Sequence, residues 1–171
     1  MVYFTSDLHL GHRNIISLQY RPFESVEEMD RALIDNFNSV VKKNDTVFIL
    51  GDLCFRLKPN KANEVISRLN GRKYLIKGNH DLEYDPALFI DIKDYMTVSL
   101  NEKYFTLMHY PMLSWPKKER GSIQLHGHIH ARMDYNERNR AEGIKRYDVG
   151  VDANDFYPVS VDSIMDFFGE N

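Results

Sequence analysis

The segment Thr46-Val47-Phe48-Ile49-Leu50-Gly51-Asp52 is a short apolar run that stops at a glycine and a carboxylate. A run of this length, rich in β-branched and aromatic residues, reads as a strand buried on both faces. The form recurs on either side of it. Val2–Thr5 runs into Ser6-Asp7, and residues 73–76 run into Gly78-Asn79-His80-Asp81. Helical patterns lie between. Ser25 with Glu28 makes a capping box. Behind it Val26, Met29, Leu33, Phe37, Val40 and Val41 recur at helical spacing, to an end near Lys43-Asn44. Ala62, Val65, Ile66 and Leu69 mark a second helix, stopped by Asn70-Gly71. The order β-α-β-α-β with right-handed crossovers predicts parallel strands.

The second half reads differently. Residues 96–100 and 104–108 flank Asn101-Glu102 as a hairpin. Residues 122–125 and 147–151 are two further strands, and Ser160 caps a last helix carrying Ile164, Phe167 and Phe168. A parallel half followed by a more antiparallel half predicts an α/β protein of two packed sheets with helices outside. The charged run 132–146 reads as a mobile excursion. No repeat or linker divides the chain, so residues 1–171 are expected to form one domain.

Composition narrows the function. Hydrophobic residues make up 43% and charged residues 27%, which excludes wholesale disorder. Lys+Arg total 22 against 25 Asp+Glu, a net charge of −3 that disfavours a coat for long nucleic acid or a polybasic membrane binder. The single Cys excludes an internal disulfide and a Cys-rich zinc module. With no long apolar run and no signal-peptide pattern at MVYFTSDLHLGH, the expected location is cytoplasmic.

The seven His are not scattered. Every expected strand end delivers a metal-competent side chain: Asp7 and His9, then Asp52, then Asn79 and His80, then His109, then His126, His128 and His130. Ligands of open α/β sheets bind beyond the carboxyl ends of the strands. Buried carboxylates and imidazoles are costly unless paired or bound to metal. The i, i+2 spacing of Asp7 with His9 and of His128 with His130 would aim each pair one way on extended chain. Imidazole, carboxylate and amide without thiolate suits Mn²⁺, Fe or Zn²⁺, with Ni²⁺ or Co²⁺ also compatible. The ligands exceed the need of one tetrahedral ion and fit two ions sharing a carboxylate.

The series Asp7-x-His9, Gly51-Asp52, Gly78-Asn79-His80-Asp81, His109, Gly127-His128-x-His130 resembles the full signature of the calcineurin-like metallophosphoesterases, in order. The stretch from Thr5 to His12 is similar to the compact enzymes of bacteria and phages. The resemblance implies a four-layer α/β/β/α sandwich of two mixed sheets flanked by helices, and a dinuclear site. Asp7, His9 and His130 would hold one ion, and Asn79, His109 and His128 the other, with Asp52 bridging. His80 would assist the leaving group, and Asp81 would orient and tune His80. Attack by a hydroxide held between the ions, Mn²⁺ for preference, would cleave phosphate mono- or diesters.

Small phosphodiester or nucleotide substrates are expected. A nuclease is the alternative enzyme, and a protein-binding scaffold on the same fold the non-catalytic one. His12, Arg56 and Tyr110 are candidate substrate contacts, although His12 could instead cap the helix near Asn14, and Arg56 with Lys58 could be plain surface. His126 is expected to be structural and Cys54 a small buried hydrophobe. The loop 110–121, with Trp115, reads either as a substrate-facing flap or as a solvated loop.

Overall fold

The computed structural model describes residues 1–132 and 134–170. The three apolar runs form β1 (Val2–Thr5), β2 (Thr46–Ile49) and β3 (Arg72–Ile76), paired in parallel with Phe4 opposite Phe48 and Phe48 opposite Tyr74. The short strand β4 (Asp91–Lys93) extends this sheet in parallel beyond β3, and β9 (Val159–Ser160) closes it antiparallel to β1. Alternation sorts the side chains. Val47, Ile49 and Leu75 pack with Met29, Leu33, Ile34 and Phe37 of α2 (Val26–Val40) and with Ala62, Val65 and Ile66 of α3 (Pro59–Ser67). Phe4, Phe48, Leu50 and Ile76 face the second sheet. Both faces of the first sheet are therefore covered, as uniformly apolar strands require.

The second sheet has the order β5 (Tyr95–Leu100), β6 (Lys103–Met108), β7 (Ile123–His126), β8 (Arg146–Asp148). Phe105, Leu107, Ile123, Leu125 and Tyr147 meet the first sheet across the core, with the Phe4 and Phe105 rings 6.0 Å apart. The hairpin is as expected. Asn101 and Glu102 take φ of 46° and 63°, the two left-handed residues that a tight turn needs to match strand twist. The rest of this half is less antiparallel than its short strands suggested. Within the second sheet only β5 and β6 run antiparallel; β6, β7 and β8 are parallel. The long segments between β6 and β7 and between β7 and β8 give the chain room to cross back.

The two mixed sheets with flanking helices make the four-layer α/β/β/α arrangement. α5 (Val161–Phe168) begins where Ser160 Oγ accepts the Ser163 N–H at 3.1 Å, and its Phe167 ring lies 5.2 Å from Tyr147. α2 begins at Ser25, whose Oγ accepts the Glu28 N–H at 3.1 Å; in return the Glu28 carboxylate accepts the Glu24 N–H, one residue before the usual partner. The helix stops at Val40 because Val41 is extended and buried under the sheet.

The run 132–146, expected as a mobile excursion, contains instead α4 (Asp134–Ala141), and the strand expected at 147–151 is β8, which starts at Arg146 and ends at Asp148. α4 has almost no apolar face, so periodicity misses it. It is held by two asparagines one turn apart that complete the free edge of β8. Asn136 Oδ1 accepts the Asp148 N–H at 2.7 Å, its Nδ2 donates to Asp148 O at 3.0 Å, and Asn139 Nδ2 donates to Arg146 O at 3.1 Å. A sheet edge is thereby covered by amides rather than by apolar packing. No helix among the described residues is long and apolar enough to cross a membrane.

Asp30 on α2 carries a testable cost. Its two oxygens both accept the Gly11 N–H at 3.0 Å, yet burial pushes its pKa up to about 6. The folded state therefore binds more protons than the unfolded chain between the ordinary Asp value of 3.8 and about 6, and stability is lost as pH rises through that window. Asp30→Asn removes the buried charge and keeps an acceptor. Thermal denaturation should show the variant gaining on the wild type at about pH 8 and gaining little at about pH 4, below the window.

Candidate metal centre

The expected strand ends lie together at one edge of the two sheets. Asp7 follows β1, Asp52 follows β2, Asn79 and His80 follow β3, His109 follows β6, and His128 and His130 follow β7. The loops are zipped by backbone bonds. Asp7 N donates to Gly51 O at 3.1 Å and His9 N to Asp52 O at 2.9 Å; Gly127 N donates to His109 O at 2.9 Å and Val151 N to Ser6 O at 3.1 Å.

Six electron-rich atoms converge there. Asp7 Oδ1, His9 Nε2 and His130 Nε2 form one group; Asp7, Asp52 and His109 form a second that shares Asp7. Asp52 Oδ2 is 3.4 Å from His9 Nε2 and 3.6 Å from His109 Nε2. Asn79 Oδ1 is 3.1 Å from His109 Nε2. The tautomers follow from the outer bonds. His109 Nδ1 donates to the Leu50 carbonyl at 2.7 Å and His130 Nδ1 to Asp152 Oδ2 at 2.8 Å. In the neutral rings this leaves a lone pair on each Nε2, facing carboxylate and amide oxygens. Asp7 Oδ1 and His9 Nε2 are buried without any hydrogen-bond partner. Lone pairs gathered without donors are unfavourable by themselves and fit bound cations.

Electrostatics agree. Burial, reinforced by His130 and Arg21, pushes the His9 pKa down to about 2 and keeps the ring neutral, the form that can bind a cation. Burial and the nearby His109 lower His128 as well. Burial works against charging His130, but the Asp152 bond and the Asp7 charge outweigh it and raise its pKa. Burial raises Asp7 despite the attraction of His130.

The i, i+2 argument reached the right convergence by the wrong route. Asp7, His9, Asp52, His128 and His130 have φ of 57°, 52°, 52°, 72° and 46°, so these candidate ligands sit on left-handed backbone and not on extended strand. Gly127 is needed for closeness: a Cβ there would lie 1.9 Å from Ser6 Oγ and 2.2 Å from Asp7 Oδ2.

Asp81 is corrected. Its oxygens accept the Asp52 and Leu53 N–H groups at 2.9 Å each, the Gly78 N–H at 2.8 Å and the Tyr84 hydroxyl at 2.9 Å, and it makes no bond to His80. It locks the Asp52 loop to the Asn79 loop. His80 is exposed at the mouth, with its N–H on Asp52 Oδ1 at 2.9 Å and its ring 5.1 Å from Phe55.

His12 does not cap the helix α1 (Ile15–Leu18), whose cap position is Asn14. It stacks on Phe55 at 3.6 Å, with Nδ1 3.4 Å from His9 Nδ1. Tyr110 lies at the rim, its ring 4.5 Å from His128 and its hydroxyl 3.5 Å from Asn79 Oδ1. Arg56 is exposed, 5.1 Å from the Phe55 ring centre. His126 is buried, its Nδ1 donating to Gly127 O at 2.8 Å and its Nε2 accepting the Tyr135 hydroxyl at 3.2 Å. Cys54 is buried, its thiol pushed up to about 12. Trp115 is buried with its N–H on Ser122 O at 3.1 Å, so it anchors the otherwise mostly exposed 110–121 loop and is not free to stack on a substrate.

Arg21 and Asp152 were not singled out by the sequence. Arg21 is buried and donates to Asp7 O at 2.7 Å, to Leu8 O at 2.9 Å and through two nitrogens to Asp152 at 2.9 Å each. Asp152 holds His130 in turn. The Arg-Pro-Phe turn at 21–23 carries no motif for this; only the missing partner 131 residues later explains it.

A fold and a centre of this kind define a metal-dependent hydrolase of phosphoesters. The sequence profile of the calcineurin-like phosphoesterases matches residues 1–153, and the chain belongs to that family. It is 38% identical over 167 residues to the uncharacterized protein MJ1445 of Methanocaldococcus jannaschii, covering 96% of this chain and 89% of that protein. It is 29% identical to the Gene 66 protein of Mycobacterium phage L5 over 88% of this chain and 86% of the phage protein. The crystal structure of AQ665 from Aquifex aeolicus, a protein of unknown function, superposes with a TM-score of 0.74 at 29% identity, covering 97% of this chain and 98% of that one.

Asp152→Asn tests the support of His130. Loss of an outer partner of a ligating imidazole typically weakens metal about 10–100-fold. Calorimetric titration with Mn²⁺ should show that loss while circular dichroism stays native. Unchanged affinity would remove His130 from the metal set.

Proposed function

We propose that the chain holds two divalent ions, Mn²⁺ for preference, and hydrolyses small phosphodiesters and nucleotide esters. The observation that carries this is the pair of buried, partnerless acceptors, Asp7 Oδ1 and His9 Nε2, with Asp52 Oδ2 reaching both His9 and His109. Asp7, His9 and His130 would hold one ion, Asn79, His109 and His128 the other, and Asp52 would lie between them. When bound, the ions supply activation of water and neutralisation of phosphoryl charge. The donor set of imidazole, carboxylate and amide without thiolate supports Mn²⁺ over a structural zinc.

The protein's own groups then divide the remaining work. His12 accepts or shares the Nδ1 proton of His9 and so steadies that ring. Asp81 keeps the Asp52 and Asn79 loops in register. His80 sits at the mouth with no hydrogen bond to its ring among the described residues, free to protonate a leaving oxygen. Tyr110 borders the Asn79 side and can donate to a phosphoryl oxygen.

Elemental analysis after Mn²⁺ loading should approach two ions per chain, and bis(4-nitrophenyl) phosphate should be hydrolysed and the activity lost with chelator. Asp52→Asn should lower retention of both ions. Full activity with a single ion per chain would overturn the dinuclear reading.

The role of His80 separates by leaving group. General-acid help is worth about 10²–10⁴ in rate and matters most for poor leaving groups. His80→Ala should therefore slow alkyl esters far more than nitrophenyl esters, with metal content unchanged. Equal losses on both would assign His80 to phosphoryl charge, and loss of metal would make it a ligand.

A further inference from the structure

Beside the metal centre is a cavity of about 510 Å³, within the size range of small-molecule sites. His130 and Asp152 form one wall, so the cavity and the centre share an imidazole. The other walls include Tyr20, Arg132, Asp134, Asp155 and Phe156. Tyr20 is 80% exposed, an open face for an aromatic ring. Tyr20, Asp155 and Phe156 adopt φ of 53°, 50° and 65°, a backbone region that bulky residues avoid and that clusters at functional sites.

These positions are fixed. Arg21 is drawn inward onto Asp152, which leaves its neighbour Tyr20 facing out. Phe156 is held by its N–H on Val151 O at 2.9 Å, by Asn36 Nδ2 on its carbonyl at 3.3 Å, and by the Phe23 ring 5.3 Å away. The Arg132 guanidinium lies 5.7 Å from the Tyr20 ring centre, so a planar group set against Tyr20 meets a second planar group on an exposed, movable side chain.

The charges select among planar ligands. Among the described residues Arg132 is the one cation lining the cavity, against the carboxylates of Asp134, Asp155 and Asp152, the last already paired with Arg21, so a chain of further phosphates would be repelled. An uncharged flat group with hydroxyl or amino donors is accommodated, since Asp155 offers acceptor oxygens. We propose that this cavity is the nucleoside subsite of the enzyme. It takes the base against Tyr20 and the ribose toward Asp155, with the phosphate at the His130 side. This rests on the phosphoesterase reading above and names its substrate class as nucleoside phosphoesters.

The test is calorimetric binding of adenosine 5′-monophosphate and ribose 5-phosphate to the Mn²⁺-loaded protein, wild type, Tyr20→Ala and Tyr20→Phe. Base stacking on an aromatic ring predicts at least about a tenfold preference for the nucleotide, lost in Tyr20→Ala and kept in Tyr20→Phe. Equal affinity of the two ligands for the wild type, or a preference that survives in Tyr20→Ala, would overturn the subsite. Hydrolysis of bis(4-nitrophenyl) phosphate by the wild type is measured in parallel. Its absence would overturn the phosphoesterase reading alone, and the affinity ratio would still decide the subsite.

Discussion

The carboxylate of Asp7 is fully buried and keeps one oxygen bare. Oδ2 is satisfied by the Ser6 hydroxyl at 2.6 Å and the His128 N–H at 2.9 Å, while Oδ1 points into the gathered imidazoles. Much of the local architecture serves that imbalance. Ser6 is held by its bond to Leu50 O at 2.8 Å. Arg21 grips the Asp7 carbonyl from behind. Position 127 has to be glycine because the Asp7 and Ser6 side chains occupy the space of its Cβ. A buried carboxylate with an unused oxygen costs free energy, which raises its pKa and which a cation bound in the centre would offset.

The same economy explains the backbone. Residues outside glycine enter the left-handed region at a cost of about 1–3 kcal/mol each. Five candidate ligands do so. The surrounding loops over-determine them: each strand-end loop is bonded to the next through main-chain groups, and Asp81 alone fixes three backbone N–H groups. The strain is local to the centre, and the two sheets beneath it carry the apolar packing that compensates.

This division decides what the sequence reveals. The strands β1 to β3 are legible because burial on both faces demands unbroken apolar runs. The candidate ligands are legible because strand ends and chemistry coincide. α4 is not, since Asn136 and Asn139 attach it through amides and no apolar period marks it. β4 and β9 are too short to stand out and exist only because a longer strand offers an edge. Arg21 and Asp152 are invisible for a different reason: each looks like an ordinary surface charge until the fold brings them together. Asp81 misled because adjacency to His80 in sequence suggested a pair. The turn sends its carboxylate the other way, toward four donors that no imidazole could outbid.

Arg21 joins these strands of argument. Its guanidinium compensates Asp152, which orients His130, and it fixes the carbonyls of Asp7 and Leu8, which sets the loop that carries His9. One buried cation thus steadies candidate ligands from both ends of the chain without entering the centre. It also lies behind the turn that presents Tyr20. A buried ion pair of this kind is poor evidence for net stability, since desolvation offsets much of its attraction. Its value here is geometric: planar, bidentate and permanently charged, it fixes direction where a lysine would supply only charge. The centre and the cavity beside it consequently share one rigid support, and a change at Arg21 would reach both.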